Sequence, residues 1–83
     1  MIREDVIKRT WETLEGPIQQ HGYALIEVEF GGAGGRQVLR LFIDRENGIG
    51  LDDCQTVSRL VDPILDAEDF IDGNYVLEVS SPG

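Results

Sequence analysis

Two runs of alternating polar and apolar residues, separated by little more than glycine, constrain this chain more than any other feature. From Ala24 to Phe30, the apolar Ile26, Val28 and Phe30 alternate with Glu27 and Glu29, which is the two-residue period of a half-buried strand. From Arg36 to Asp44 the period returns, with Leu39, Leu41 and Ile43 on one face and Val38, Arg40 and Phe42 on the other. Gly31-Gly32-Ala33-Gly34-Gly35 lies between them and reads as a loop without side-chain anchors. A connection this short joins antiparallel neighbours, because a parallel pair needs a crossover of a dozen or more residues. The chain therefore contains an antiparallel hairpin with an apolar face that something else must cover.

Two helical patterns supply the cover. From about Arg3 to His21, apolar groups recur at Ile7, Thr10/Trp11, Leu14 and Ile18, one face of a 3.6-residue period. Glu4 and Asp5 suit the positive end of the helix dipole, and Gly22 is placed to stop the helix. Gly16-Pro17 interrupts the pattern, since proline removes the amide that would bond the Thr13 carbonyl. A kink at Pro17 is expected, with a break into two helices as the alternative. The second helix spans about Leu51 to Asp66, with Gly50 as a weak N-cap and Asp52 and Asp53 in its first turn. Cys54, Val57, Val61, Ile64 and Leu65 form its apolar stripe, and Pro63 repeats the problem of Pro17 by removing the bond to the Arg59 carbonyl. After a turn at Asp72-Gly73-Asn74, a third strand runs from Tyr75 to Ser80, with Tyr75, Leu77 and Val79 opposite Val76, Glu78 and Ser80.

The order helix-strand-strand-helix-strand predicts an α+β fold. It is a two-layer α/β sandwich with two helices on one face of a three-stranded sheet, an arrangement that resembles KH-like folds. With a helix between them, strands two and three run parallel if they are neighbours, which makes the sheet mixed and the crossover right-handed. A third strand beside the first would instead make the sheet wholly antiparallel. The first arrangement is the one expected. It sends Val38, Arg40 and Phe42 outward beside Val76, Glu78 and Leu25, an apolar patch that a second domain or a partner would cover.

At 83 residues the chain is one small domain. Seven Lys and Arg stand against 16 Asp and Glu, a formal net charge of −9. Such a surface repels phosphate backbones and anionic membranes and attracts basic partners. Cys54 is the single cysteine, which rules out an intramolecular disulfide framework or a thiolate metal cluster and suits a reducing cytoplasm. No apolar run approaches the roughly 20 residues of a membrane span, and no charged-then-apolar leader opens the chain. A cytoplasmic monomer without a membrane partner is expected.

No constellation for catalysis, cofactor binding or metal binding emerges. Asp44-Arg45-Glu46-Asn47-Gly48 faintly resembles a calcium loop, but its glycine falls one position early and the closing bidentate Glu is missing. Cys54 lies on the apolar stripe and reads as a small hydrophobe. His21, the one histidine, sits at a helix end with no second His or nucleophile in a recognisable arrangement. Gly31 to Gly35 contains a Gly-x-x-Gly spacing, but in KH-type domains that loop clamps phosphates between two helices, and here it joins two strands. Asp52 and Asp53 share one helical turn, so at least one must face outward, where a carboxylate suits Lys and Arg on a partner.

Several stretches together resemble one family. They are Gly22-Tyr23-Ala24-Leu25-Ile26-Glu27-Val28-Glu29-Phe30, Leu39-Arg40-Leu41-Phe42-Ile43-Asp44, Gly48-Ile49-Gly50-Leu51-Asp52-Asp53-Cys54, Val57-Ser58-Arg59, Leu65-Asp66-Ala67-Glu68-Asp69, and the closing Tyr75-Val76-Leu77-Glu78-Val79-Ser80-Ser81-Pro82-Gly83. In order and spacing they resemble the N-terminal domain of the bacterial ribosome maturation factor RimP. The resemblance implies a cytoplasmic, non-enzymatic assembly factor that assists maturation of the small (30S) ribosomal subunit. It also implies a second, β-barrel domain after Ser-Ser-Pro-Gly in full-length members, absent from residues 1–83. Docking is expected mainly on a basic ribosomal protein, with Asp52, Asp53, Arg40, Phe42 and Glu78 as contact residues and rRNA touched at local basic spots such as Arg40 and Arg59. The alternative is a direct rRNA-binding module of KH type. Three positions depart from the family pattern: Gly50 where Ser, Thr or Asn usually caps the helix, Phe70 in place of a common proline, and Pro63.

Overall fold

A computed structural model describes residues 2–82. The elements are α1 (Arg3–Gln20), β1 (Ala24–Ala33), β2 (Arg36–Asp44), α2 (Leu51–Glu68) and β3 (Tyr75–Ser80). The sheet order is β1-β2-β3, with β1 antiparallel to β2 and β2 parallel to β3. The fold is the expected α+β sandwich with a mixed sheet. Of the closing stretch Tyr75 to Gly83, Gly83 lies outside the described residues.

Both prolines sit inside uninterrupted helices, so neither pattern breaks in two. On α1 the fully covered side chains are Val6, Thr10, Leu14 and Ile18, while Ile7 and Trp11 pack at the margin. The stripe thus steps at intervals of four and starts one residue earlier than the expected Ile7. Buried Thr10 satisfies its hydroxyl within the helix by donating to the Val6 carbonyl at 2.7 Å. α2 turns Val57, Val61 and Leu65 into the core and leaves Cys54 and Ile64 half-buried. Across the layer, Leu39, Leu41 and Ile43 of β2 are completely covered, as the central strand of three should be.

Three expectations about β1 and the turn after it change. The glycine run is not a loop: pairing continues through Gly31↔Val38, Gly32↔Gln37 and Ala33↔Arg36. Gly34 (φ +60°) and Gly35 (φ +78°) then reverse the chain in two residues, and positive φ at both positions defines the type I′ turn, which matches strand twist. The strand's inward side also differs. A bulge between Leu25 and Glu27 pairs Leu25 with Ile43 and Glu27 with Phe42, so Ile26 is the extra residue and side-chain alternation restarts after it. Leu25 is therefore buried at 5% exposure, not on the outer face, and Ile26 is 47% exposed, not in the core.

Candidate functional site

The N-terminal end of α2 is held by a polar cluster built from three separate segments. It begins where α1 stops. The amide of Gly22 donates to the Gln19 carbonyl and that of Tyr23 to the Ile18 carbonyl, the paired bonds of a Schellman motif, with Gly22 in the left-handed region at φ +87°. That turn delivers Tyr23 into the core at 7% exposure, with its hydroxyl donating to Asp53 Oδ1 at 2.7 Å. Asp53 Oδ2 accepts the Gly50 amide at 2.8 Å. This is the reverse half of a capping box, which glycine permits although it has no side chain for the forward half. Arg45, on the turn after β2, closes the group: its Nη2 lies 3.1 Å from Asp53 Oδ1 and its guanidinium stacks 5.2 Å from the Tyr23 ring centre.

The electrostatics follow from those contacts. The Gly50 amide and then the Tyr23 hydroxyl hold the Asp53 carboxyl below its ordinary range, with Arg45 adding to the effect. The same Asp53 hydrogen bond, followed by burial, pushes the Tyr23 phenol above its ordinary value. Asp53 is thus engaged inside the fold by three donors, whereas neighbouring Asp52 is exposed.

On the far side of the sheet, register places Glu29, Arg40 and Glu78 in a row across β1, β2 and β3. Arg40 lies 3.4 Å from Glu29 and 2.9 Å from Glu78, and the Glu78 hydrogen bond is the leading reason its charge is held more firmly than usual. The candidate rRNA contact is therefore a cation flanked by two carboxylates, and the row as a whole is net negative. Phe42, Val38 and Val76 share this face and are half-buried. With Leu25 turned inward, the expected apolar patch reduces to these three around a charged centre.

Arg40, Phe42 and Glu78 thus come together on one face. Asp52 and Asp53 stand at the start of α2, which covers the opposite face, so the five expected contact residues form two groups. Two further features escaped the sequence reading. Tyr23 and Arg45, partners of Asp53, reach it only through the fold, and nothing local in the sequence links either of them to it. Asp62, Asp66 and Asp69 border a hollow of about 320 Å³ at the C-terminal end of α2, floored by Leu65, Ile71 and Leu77. Burial first, then Asp66, Asp62 and Asp69, raises the Tyr75 phenol beside it. The i, i+4 spacing of Asp62 and Asp66 was the available signal, since it puts both on one helix face.

Among the described residues no group of His, Cys, Asp and Glu is placed to hold a metal ion. The calcium-like segment is a tight turn, with Asn47 at φ +75° and Gly48 at φ +81°. Among the described residues no helix is long and apolar enough to cross a membrane. Residues 13–83 match the family model described as the RimP N-terminal domain.

Proposed function

The chain belongs to the RimP N-terminal domain family, and on that premise we propose that it docks on the immature small subunit chiefly through a basic ribosomal protein. Membership carries the broader role: the family are ribosome maturation factors in 30S assembly, generally non-enzymatic, acting on ribosomes in the cytoplasm. The docking mode is our reading, and one observation carries it. Three of the chain's seven Lys and Arg are drawn into internal contacts. Arg40 lies between Glu29 and Glu78, Arg45 against Asp53 and Tyr23, and Arg9 over the Phe70 ring at 4.9 Å. With a net charge of −9, the surface left for a partner is acidic. Such a surface accelerates encounter with a cationic protein and opposes a phosphate backbone.

Within this reading Asp52 is the directly available carboxylate at the α2 start, and Asp53 shapes that end from within. Arg40, Glu78 and Phe42 form the second contact group, on the outer sheet face. The second domain expected after Ser-Ser-Pro-Gly would sit near that face, because β3 leads to it. Direct rRNA binding of KH type has no comparable support, since the glycine run is a paired hairpin and Arg40 is flanked by acids. The deciding experiment titrates the chain against purified small-subunit proteins and naked rRNA at rising salt. Tight, salt-sensitive binding to a basic ribosomal protein supports the proposal. Tight binding to naked rRNA with none to the proteins overturns it.

A further inference from the structure

Among the described residues β1 has a neighbouring strand on one side only. In the order β1-β2-β3 its outer edge is open along the sheet, and alternate residues of an edge strand turn their amides and carbonyls away from the partner strand. Natural edges of this length are usually blunted by charged side chains (lysine above all), by proline, by a bulge or by a covering element. Here the stretch from Glu27 to Ala33 contains neither lysine nor proline and pairs in regular register beyond the bulge. The bulge disturbs the edge at Leu25 to Glu27 and leaves the remainder regular.

A groove of about 530 Å³ runs along this regular stretch. One wall is the first turns of α1, at Arg3, Glu4 and Ile7, beside the inward-facing Val28 and Phe30. The other wall is Val38 and Arg40 on the outer face. Gly31 also lines the groove: it pairs with Val38, and nothing comes within 4 Å of where its Cβ would stand. A groove reaching both faces at an open strand edge has the shape that an added strand needs. Successive side chains of such a strand point alternately to the two faces, and the edge itself supplies main-chain hydrogen bonds.

We propose that the Val28–Gly32 edge of β1 is a strand-addition site for an extended cationic polypeptide segment. Charge selects the occupant. Within the groove Arg3 and Arg40 balance Glu4 and Glu29, and the excess charge is acidic, from Glu27 on β1 opposite Phe42 and Glu78 on β3 opposite Arg40 on the adjoining outer face. A second copy of this chain would bring another net charge of −9 to the same edge, which opposes self-pairing. The inference deepens the proposed docking on a basic ribosomal protein by naming where and in what conformation a segment of that protein binds.

The test uses a short peptide of alternating lysine and valine, with its glutamate–valine counterpart as control, and amide hydrogen exchange of the whole chain. The cationic peptide is expected to slow exchange at β1 between Val28 and Gly32 and to leave β3 unchanged, while the acidic peptide does neither. Gly31→Phe and Gly31→Lys, at a position with open space around it, should each weaken binding about tenfold or more while the melting temperature holds. Failure of the peptide to bind, binding without β1 protection, or full affinity in both variants overturns the edge site. So does β1 protection from self-association without peptide. If intact chain still binds a basic ribosomal protein after such a result, the docking proposal stands and the edge falls. If β1 captures the peptide while no ribosomal protein binds, the docking proposal falls and the edge stands.

Discussion

Replacing Pro63 with alanine should stabilise this domain, and the structure says by how much. Pro63 lies inside α2 and is exposed, so its ring contributes little packing. Its missing amide leaves the Arg59 carbonyl without the helical bond, and its ring restricts Asp62 before it. Proline in a helix interior is about 3 kcal/mol less favourable than alanine. That figure is already net of the unfolded chain's entropy, and α2 continues through Pro63 without a break, so only part of it is recovered. A net gain of about 2 kcal/mol remains, equivalent to a rise in melting temperature of about 10 °C for a domain of this size. Thermal melts followed by circular dichroism, with urea titrations alongside, would measure it: the midpoint should rise and the slope stay constant. Pro17→Ala is the internal comparison. Pro17 is half-buried, so its alanine variant also loses ring packing and the gain should be smaller. An unchanged or lower midpoint for Pro63→Ala, or an equal gain for both, would refute the reasoning.

Two further outcomes test the features on which the site rests. Leu25→Ala should cost about 2–5 kcal/mol while Ile26→Ala stays within about 0.5 kcal/mol; denaturant melts that reversed this order would remove the bulge. Because Asp53 titrates below its ordinary value in the folded chain, its contribution is present above the ordinary carboxylate pKa and fades as pH falls through the folded one. The melting-temperature gap between the parent and Asp53→Asn should therefore be widest near neutrality and narrow in acid, and a gap independent of pH would contradict the cluster.

Sequence revealed those parts of the fold that local periodicity encodes. The three-strand, two-helix order, the inward face of β2 and the stop at Gly22 each depend on residues close together in the chain. The failures share a different cause. Ile26 fits the alternation set by Val28 and Phe30, and nothing local announces the extra residue that puts Leu25 inward. Gly31 and Gly32 have no side chains to signal a strand, yet backbone pairing needs none, and the turn is confined to Gly34 and Gly35. Asp53 looked like a dipole-matched acid because Tyr23 and Arg45, which engage it, reach it only through folding. Arg40 looked like a free cation because Glu29 and Glu78 become its neighbours only across strands.

The pairing of these arginines has a consequence for recognition. A chain with seven cations and 16 acids could have presented a mixed surface, with local basic spots able to hold phosphate. Folding removes that option at the outer face by placing Arg40 midway in a row of two carboxylates. An ion pair this exposed contributes little to stability, so its main effect is on what the face attracts. Near Arg40 an approaching phosphate meets Glu29 and Glu78 as well, whereas a lysine or arginine meets two carboxylates with one competing cation. Neutralising Glu29 and Glu78 together should therefore weaken capture of a basic ribosomal protein and strengthen binding to RNA, with both changes shrinking as salt rises. If binding to both ligands stayed the same, the row would be part of the sheet's packing and no part of its selectivity.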